Sequence, residues 1–210
     1  MTGKFITVEG IEGVGKSTNL AFIEQWLRAR GIDVVVTREP GGTKLAEAIR
    51  GLLLESPPGS VPDMAELLLM FAARASHLHE LIVPSLQAGR WVVCDRFTDA
   101  SYAYQGAGRG LGDAPVATLE ALVQGELRPD LTLLLDASPD STVSRRANRG
   151  TDDRFEQEDR VFFERVRAAY LQRAAAEPGR IKCVNASRPL AEVQQQIGQL
   201  LAELLDGRNL

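Results

Sequence analysis

The sequence predicts an α/β fold, a parallel sheet with helices on both faces, and three observations carry that prediction. Five short apolar runs, Phe5–Glu9, Val34–Arg38, Trp91–Asp95, Thr132–Asp136 and Ile181–Asn185, have the length and composition of buried strands. Helical stretches separate each run from the next. The first run leads into a glycine-rich turn and then into apolar residues at helical spacing, so the chain opens strand, loop, helix.

That opening unit is the most informative stretch. After Phe5–Glu9 comes Gly10-Ile11-Glu12-Gly13-Val14-Gly15-Lys16-Ser17-Thr18, the phosphate-binding P-loop pattern. Phosphate oxygens need many donors at short range. Gly10, Gly13 and Gly15 let the backbone wrap close, and the loop N–H groups and positive helix end then face the anion. Lys16 adds a full charge near the β- and γ-phosphates, and the Ser17 hydroxyl is a ligand for Mg²⁺. Leu20, Ile23, Trp26 and Leu27 continue as a helix stopped at Gly31. The competing reading, a glycine turn with a stray lysine, does not account for the complete motif in this context.

The second strand runs into Arg38-Glu39-Pro40-Gly41-Gly42-Thr43, where Pro-Gly-Gly forces a turn and Thr43 reads as a helix N-cap. Asp63 to Gln87 reads as one long helix, so apolar around its girth that it must be buried in the core or against another subunit. Arg74 lies inside it and needs an acceptor, either a ligand or a structural salt bridge. The third strand ends at Asp95, the position of a second Mg²⁺-associated carboxylate in P-loop proteins, followed by Arg96. Ser101, Tyr102, Tyr104 and Gln105 come next, and Gly106-Ala107-Gly108-Arg109-Gly110 reads as a flexible loop. A helix then runs from Asp113 or Ala114 to Gln124, and the fourth strand ends at Asp136, for which a structural ion pair is the favoured reading.

Arg145, Arg146, Arg149 and Arg154 crowd into ten residues ending in a polar loop, the composition of a lid over phosphates; a solvated helix end is the plainer alternative. Two helices remain. One carries Phe162, Phe163, Val166, Ala169, Tyr170 and Leu171, and the other an apolar stripe from Leu190 to Leu205. No chemistry attaches to either.

At 210 residues the chain fits one domain, 1–210, with no repeat or linker to divide it. A net charge of −4 argues against a nucleic-acid or membrane-surface binder, and no apolar run reaches the ~20 residues of a membrane span, so a cytoplasmic location is expected. Cys94 and Cys183 are expected to be buried reduced thiols. His77 and His79 sit two apart on a helix, point to different faces and are expected to be surface or packing residues rather than a metal pair.

Arginines at several strand ends say more than the P-loop alone. Two like unit charges about 4 Å apart cost about 4 kcal/mol at an effective dielectric near 20, so bringing two phosphorylated molecules together requires several fixed cations. Arg38, Arg74, Arg96 and the lid set supply them, and the guanine signature of GTPase switches is missing. Phosphoryl transfer between nucleotides is therefore favoured. A switch or binding module without transferase activity is the reading from another class.

Phe5 to Thr18, Arg38 to Thr43, Ala72-Ala73-Arg74, Asp95-Arg96-Phe97 and Tyr104-Gln105-Gly106, in this order, resemble the thymidylate kinase family. The Arg-Glu-Pro-Gly-Gly-Thr element is specific to that family; the P-loop is not. Glu12 in the P-loop together with a basic lid at about 145–158 resembles the bacterial subtype. The resemblance implies a three-layer P-loop nucleoside monophosphate kinase fold with a five-stranded parallel sheet. It implies a homodimer that uses ATP and Mg²⁺ to convert dTMP to dTDP for dTTP biosynthesis, with no nucleic-acid or membrane partner. It places the ATP phosphates on Gly10 to Thr18. Arg38 and Arg96 would hold the dTMP phosphate, Glu9 would lie near the sugar and the Mg²⁺ waters, and Asp95 and Ser17 would support the metal. Arg74, Ser101 and Gln105 would read the base, and Tyr104 would crowd the sugar's 2′ position. Lys16, Arg96, Glu12, Arg149 and Arg154 are the implied catalytic set. Family members often carry an aromatic four residues before the base-reading arginine; here the position is Met70 with Phe71 beside it, so either side chain is a candidate for stacking on thymine. A kinase for another nucleotide base remains the nearest rival.

Overall fold

The computed structural model describes residues 3–57, 59–142 and 158–207. The five expected strands are present: β1 (Phe5–Glu9), β2 (Val34–Arg38), β3 (Trp91–Asp95), β4 (Leu131–Asp136) and β5 (Ile181–Asn185). They form one all-parallel sheet in the order β2-β3-β1-β4-β5. β1 lies at the centre with every residue buried. Its neighbours β3 and β4 lie on opposite sides, so the crevice above its carboxyl end sits where strand order reverses. Register brings Val8 and Arg38 both level with Asp95. Three strand ends therefore meet at one place.

Both sheet faces are covered, which is why the strands read as unbroken apolar runs. Side chains alternate between two packed layers. Ile6, Val8 and Val93 share a cluster with Ile23 and Leu27 of α1 (Lys16–Arg28) and with Ile197 and Leu201 of the last helix. Phe5, Val92 and Cys94 pack on the other side with Leu78, Ile82 and Phe97, and the rings of Phe5 and Phe97 meet edge to face at 4.9 Å. In the buried centre, the hydroxyls of Thr7 and Thr132 satisfy each other at 2.7 Å across neighbouring strands.

Thr43 caps α2 (Lys44–Glu55) as expected, its hydroxyl accepting from the Ala46 N–H. The long rod is regular only in part. It runs as α3 (Asp63–His77), opens into a π-helical turn over Leu78–Ile82, and closes as α4 (Val83–Gln87). Pro84 explains the interruption: it lacks an N–H and its ring would meet the carbonyl four residues back, so the wider turn relieves the clash. Nor is the rod buried all round. Leu67, Phe71 and Ile82 lie in the core, whereas Met64 and Leu68 are about half exposed, as are Leu45 and Leu52 of α2.

Two expectations are corrected here. Gly106 to Gly110 is not a flexible loop. α5 (Thr98–Ser101) continues into a π-helical segment, Tyr102–Gly108, and Gly106 and Gly108 are buried. A Cβ on Gly108 would fall 2.7 Å from the Phe162 ring of α7 (Arg160–Ala176), so glycine there serves close packing. Cys183 is exposed on the edge strand β5; Cys94 is buried as expected, and both are free thiols.

α6 (Asp113–Gln124) packs on α3, and α8 (Leu190–Leu205) buries its apolar stripe against α1. Asp136 at the end of β4 accepts from Nε and Nη2 of Arg167 at 2.6 and 2.8 Å, the structural ion pair expected there. Among the described residues no helix is long and apolar enough to cross a membrane.

Candidate active site

A cavity of about 310 Å³ opens at the carboxyl ends of β1, β2 and β3. Four P-loop residues line it: Glu12, Gly13, Lys16 and Ser17. The rest of the loop holds these in place. Ile11 and Val14 are buried in the core, Gly15 is the N-cap of α1, and Thr18 is exposed on the first turn. Gly10 has φ 133° and a Cβ there would strike the Leu135 carbonyl at 2.4 Å, so no other residue fits. The Lys16 ammonium turns back onto the Gly10 and Ile11 carbonyls, each at 3.1 Å. Burial, with the Arg96 charge beside it, lowers its pKa to about 8. An anion beside Lys16 would reverse that.

Arg96 is the one non-glycine residue with positive φ among those described, at 68°. This turn directs its side chain back over the loop. Nη1 donates to the Gly10 carbonyl at 2.7 Å and Nη2 to Glu12 at 2.5 Å, with the guanidinium 4.9 Å from the Tyr104 ring centre. Burial opposes its charge, but Tyr104, Glu12, Tyr170 and Asp95 hold it protonated. Glu12 also accepts from the Tyr104 hydroxyl at 2.6 Å. Burial alone would raise the Glu12 carboxyl; Arg96 and Lys16 hold it below its ordinary range.

Arg38 lines the cavity from β2, half exposed, its guanidinium steadied by both oxygens of Glu47, which also accepts from the Gly42 N–H. Asp95 lines it from β3, and its Oδ1 is buried without a hydrogen-bond partner. An acceptor left bare is unusual. With Ser17 on the same wall, it fits a hard cation that takes one or two protein oxygens and completes its shell with phosphate and water. Among the described residues no group of three or more acidic, histidine or cysteine side chains forms a self-sufficient metal cage.

The far wall is built around Arg74. Nε donates to Glu39 at 2.7 Å, Nη2 donates to Ser101 at 3.0 Å, and the guanidinium lies 4.4 Å from the Phe71 ring centre. Nη1 is buried and unpartnered. Arg74 thus makes the structural salt bridge, and it keeps a spare buried donor in a side chain that lines the cavity. Met70 lines the cavity, while Phe71 lies in the core beneath Arg74. Ser101, Tyr104 and Gln105, spaced along one helical face, complete the wall.

Glu9, like Phe71, does not line the cavity. Glu9 is fully buried behind it, accepting from the Phe97 N–H at 2.7 Å and the Tyr170 hydroxyl at 2.7 Å. Burial, then the Asp99 charge, raises its carboxyl to about 8. Glu9 therefore does not line the cavity, where the resemblance implied a place beside the sugar and the Mg²⁺ waters. Arg149 and Arg154 lie outside the described residues.

Residues 8–197 match the family model described as Thymidylate kinase. The chain belongs to the thymidylate kinase family. It is 58% identical to the thymidylate kinase of Teredinibacter turnerae over 98% of this chain and all of that one. It is 57% identical to that of Pseudomonas savastanoi pv. phaseolicola over 99% of each. Among solved structures, the thymidylate kinase of Ehrlichia chaffeensis superposes with a TM-score of 0.78 at 32% identity, covering 96% of this chain and 99% of that one.

Several residues around this thymidylate kinase site escaped the sequence reading. Glu39 and Arg50 both line the cavity. Glu39 sits inside the Arg-Glu-Pro-Gly-Gly-Thr element, and Arg50 lies one turn on from Glu47 along α2, so helical spacing was an available signal. His77 is a packing residue as expected, but a working one. Buried completely, it bonds Glu39 at 3.0 Å and Thr37 at 2.7 Å, and a Cβ on Gly42 would strike it at 2.5 Å. That contact accounts for the second glycine of the element.

Proposed function

We propose that this protein catalyses transfer of the γ-phosphoryl group of ATP to dTMP, giving dTDP. Beyond family membership, the observation that carries the reading is the arrangement of charge in one cavity. Lys16 and Arg96 meet at the P-loop, Arg38 lines the cavity from β2, and Arg74, with one unpartnered nitrogen, lines the same cavity.

The chemistry needs no strong general base, because the acceptor phosphate is already ionised. Catalysis is positioning plus neutralisation. In this reading the P-loop N–H groups and Lys16 hold the donor phosphates, and Arg38 and Arg96 hold the acceptor phosphate. Glu12, clamped by Arg96 and Tyr104, keeps the arginine turned inward. Tyr104 fills space beside the sugar, Met70 packs on the base as a thioether, and Arg74 donates to a carbonyl of the base. Mg²⁺, held by Asp95 and Ser17, would supply charge neutralisation at the phosphates. Arg149 and Arg154 are proposed for the γ-phosphate. The half-exposed Met64, Leu68, Leu45 and Leu52 support a homodimer that covers α2 and α3.

The test is a coupled assay offering ATP with a panel of nucleoside monophosphates. A dTMP-dependent rate well above all others is expected. Preference for another base, or ATP hydrolysis indifferent to every monophosphate, overturns the reading.

A further inference from the structure

Glu66 of α3 is fully buried, yet nothing in the reaction above uses it. Its Oε1 accepts from the side-chain amide of Gln105 at 2.8 Å and faces Nε of Arg109 at 3.3 Å. Arg109 in turn reaches Glu158 at the foot of α7 and stacks 4.9 Å from the Phe162 ring centre. Gln105 is itself 1% exposed and lines the substrate cavity.

A side-chain amide has two ends of nearly equal shape and opposite polarity, and a neighbour of fixed polarity decides which way it points. An ionised carboxylate only accepts. The end of Gln105 that faces Glu66 must therefore be the NH₂, and the carbonyl oxygen is left for the cavity; no hydrogen bond occupies it among the described residues. Four residues earlier on the same face, Ser101 holds Nη2 of Arg74, whose Nη1 is the unpartnered donor. Two residues that line the wall thus hold a spare donor, on Arg74, and a spare acceptor, on Gln105. That pair matches an imide edge, a ring carbonyl beside a ring N–H, and opposes an aminopyrimidine edge, which offers the reverse pattern.

We infer that Glu66 is the residue that sets base specificity: ion-paired with Arg109, it fixes the polarity of the Gln105 amide so that the cavity accepts a keto-pyrimidine and rejects cytosine. Glu66 touches no substrate; it is a positioning residue. The inference rests on the dTMP-kinase reading and adds to it the group that enforces the choice of base.

The test is a double-mutant cycle read as dissociation constants for dTMP and dCMP, with thermal unfolding recorded for each variant. Glu66→Leu removes the acceptor and frees the amide to turn. The expected result is a dTMP Kd about tenfold higher, the loss of one hydrogen bond, with dCMP unchanged or tighter, so that the ratio between them falls. In a Gln105→Ala background the same substitution should leave the ratio where it was, because Glu66 acts through Gln105. A Glu66→Leu protein that weakens both ligands alike, or lowers the ratio equally in both backgrounds, overturns the inference. Should Glu66→Leu not fold, Glu66→Asp with Glu66→Gln replaces it: Asp keeps an acceptor-only group and should retain the ratio, whereas Gln should lower it. Equal ratios in these two overturn the inference. Wild-type protein that does not prefer dTMP at all defeats the underlying reading instead, a distinguishable outcome.

Discussion

Two buried arginine networks stand within one fold, and they differ in one respect. Behind the sheet, Asp99 is gripped by Arg173 at 2.5 Å and by Arg180 at 2.7 Å, Glu177 closes the ring, and Arg173 lies 3.8 Å from the Tyr102 ring centre. None of its buried side-chain polar atoms lacks a partner. At the cavity, Arg74 is bound to Glu39 and Ser101 and still keeps one nitrogen bare, and Asp95 keeps one bare oxygen. Charge and burial alone do not separate a site from scaffolding. An unsatisfied donor or acceptor in a residue that lines a cavity points to one, because bare buried polar atoms are rare and a ligand is one way to complete them.

The comparison can be broken by mutation, and the largest effect is expected at the P-loop. Lys16→Ala should lower kcat by about 10²–10³ or more, with unfolding temperature little changed; near-normal turnover would remove Lys16 from the site. Arg74→Ala should act on both sides of the divide. It strands the buried Glu39 carboxylate, for about 3–5 kcal/mol of stability, and raises the dTMP Kd. A Kd that does not move would make Arg74 scaffolding like Arg173. Asp99→Asn should show the other pattern, a similar loss of stability with dTMP affinity kept.

The pH dependence of that loss sharpens the test. Burial would raise the Asp99 carboxyl, but the bonds from Arg180 and the charge of Arg173 hold it below its ordinary value of 3.8. A lowered folded-state value means its contribution is present above 3.8 and fades as pH falls through the lowered value. Urea unfolding should therefore show the full wild-type advantage at pH 7 and a shrinking one in acid; a constant difference would defeat the assignment. Smallest of all, Arg90→Ala, which removes an exposed pair with Asp33, should change stability by less than about 1 kcal/mol and activity not at all.

Local chemistry made much of this legible in the sequence. Strand composition gave the five strands nearly to the residue, and the P-loop, Thr43 and the Asp95-Arg96 step are contiguous motifs whose geometry follows from their spacing. What failed depended on distant partners. Gly106 to Gly110 reads as a loop because composition cannot show the Phe162 ring that presses on Gly108. Asp63 to Gln87 reads as one helix, and the π-helical turn at Leu78–Ile82 ahead of Pro84 was missed. Nor could the strand show that Tyr170, 161 residues away, bonds Glu9. Glu66 carried no signal, because nothing along α3 names its partners Gln105 and Arg109.

The left-handed backbone at Arg96 has a further consequence. Most residues other than glycine resist that twist by about 1 kcal/mol or more, so the native chain carries a standing local strain at Arg96, the residue proposed for the acceptor phosphate. Replacing Arg96 with glycine should accordingly give a sturdier molecule than replacing it with alanine, though neither has a hand to close on phosphate. If the proposed role holds, the strain at this position is the cost in robustness of aiming one guanidinium over the loop.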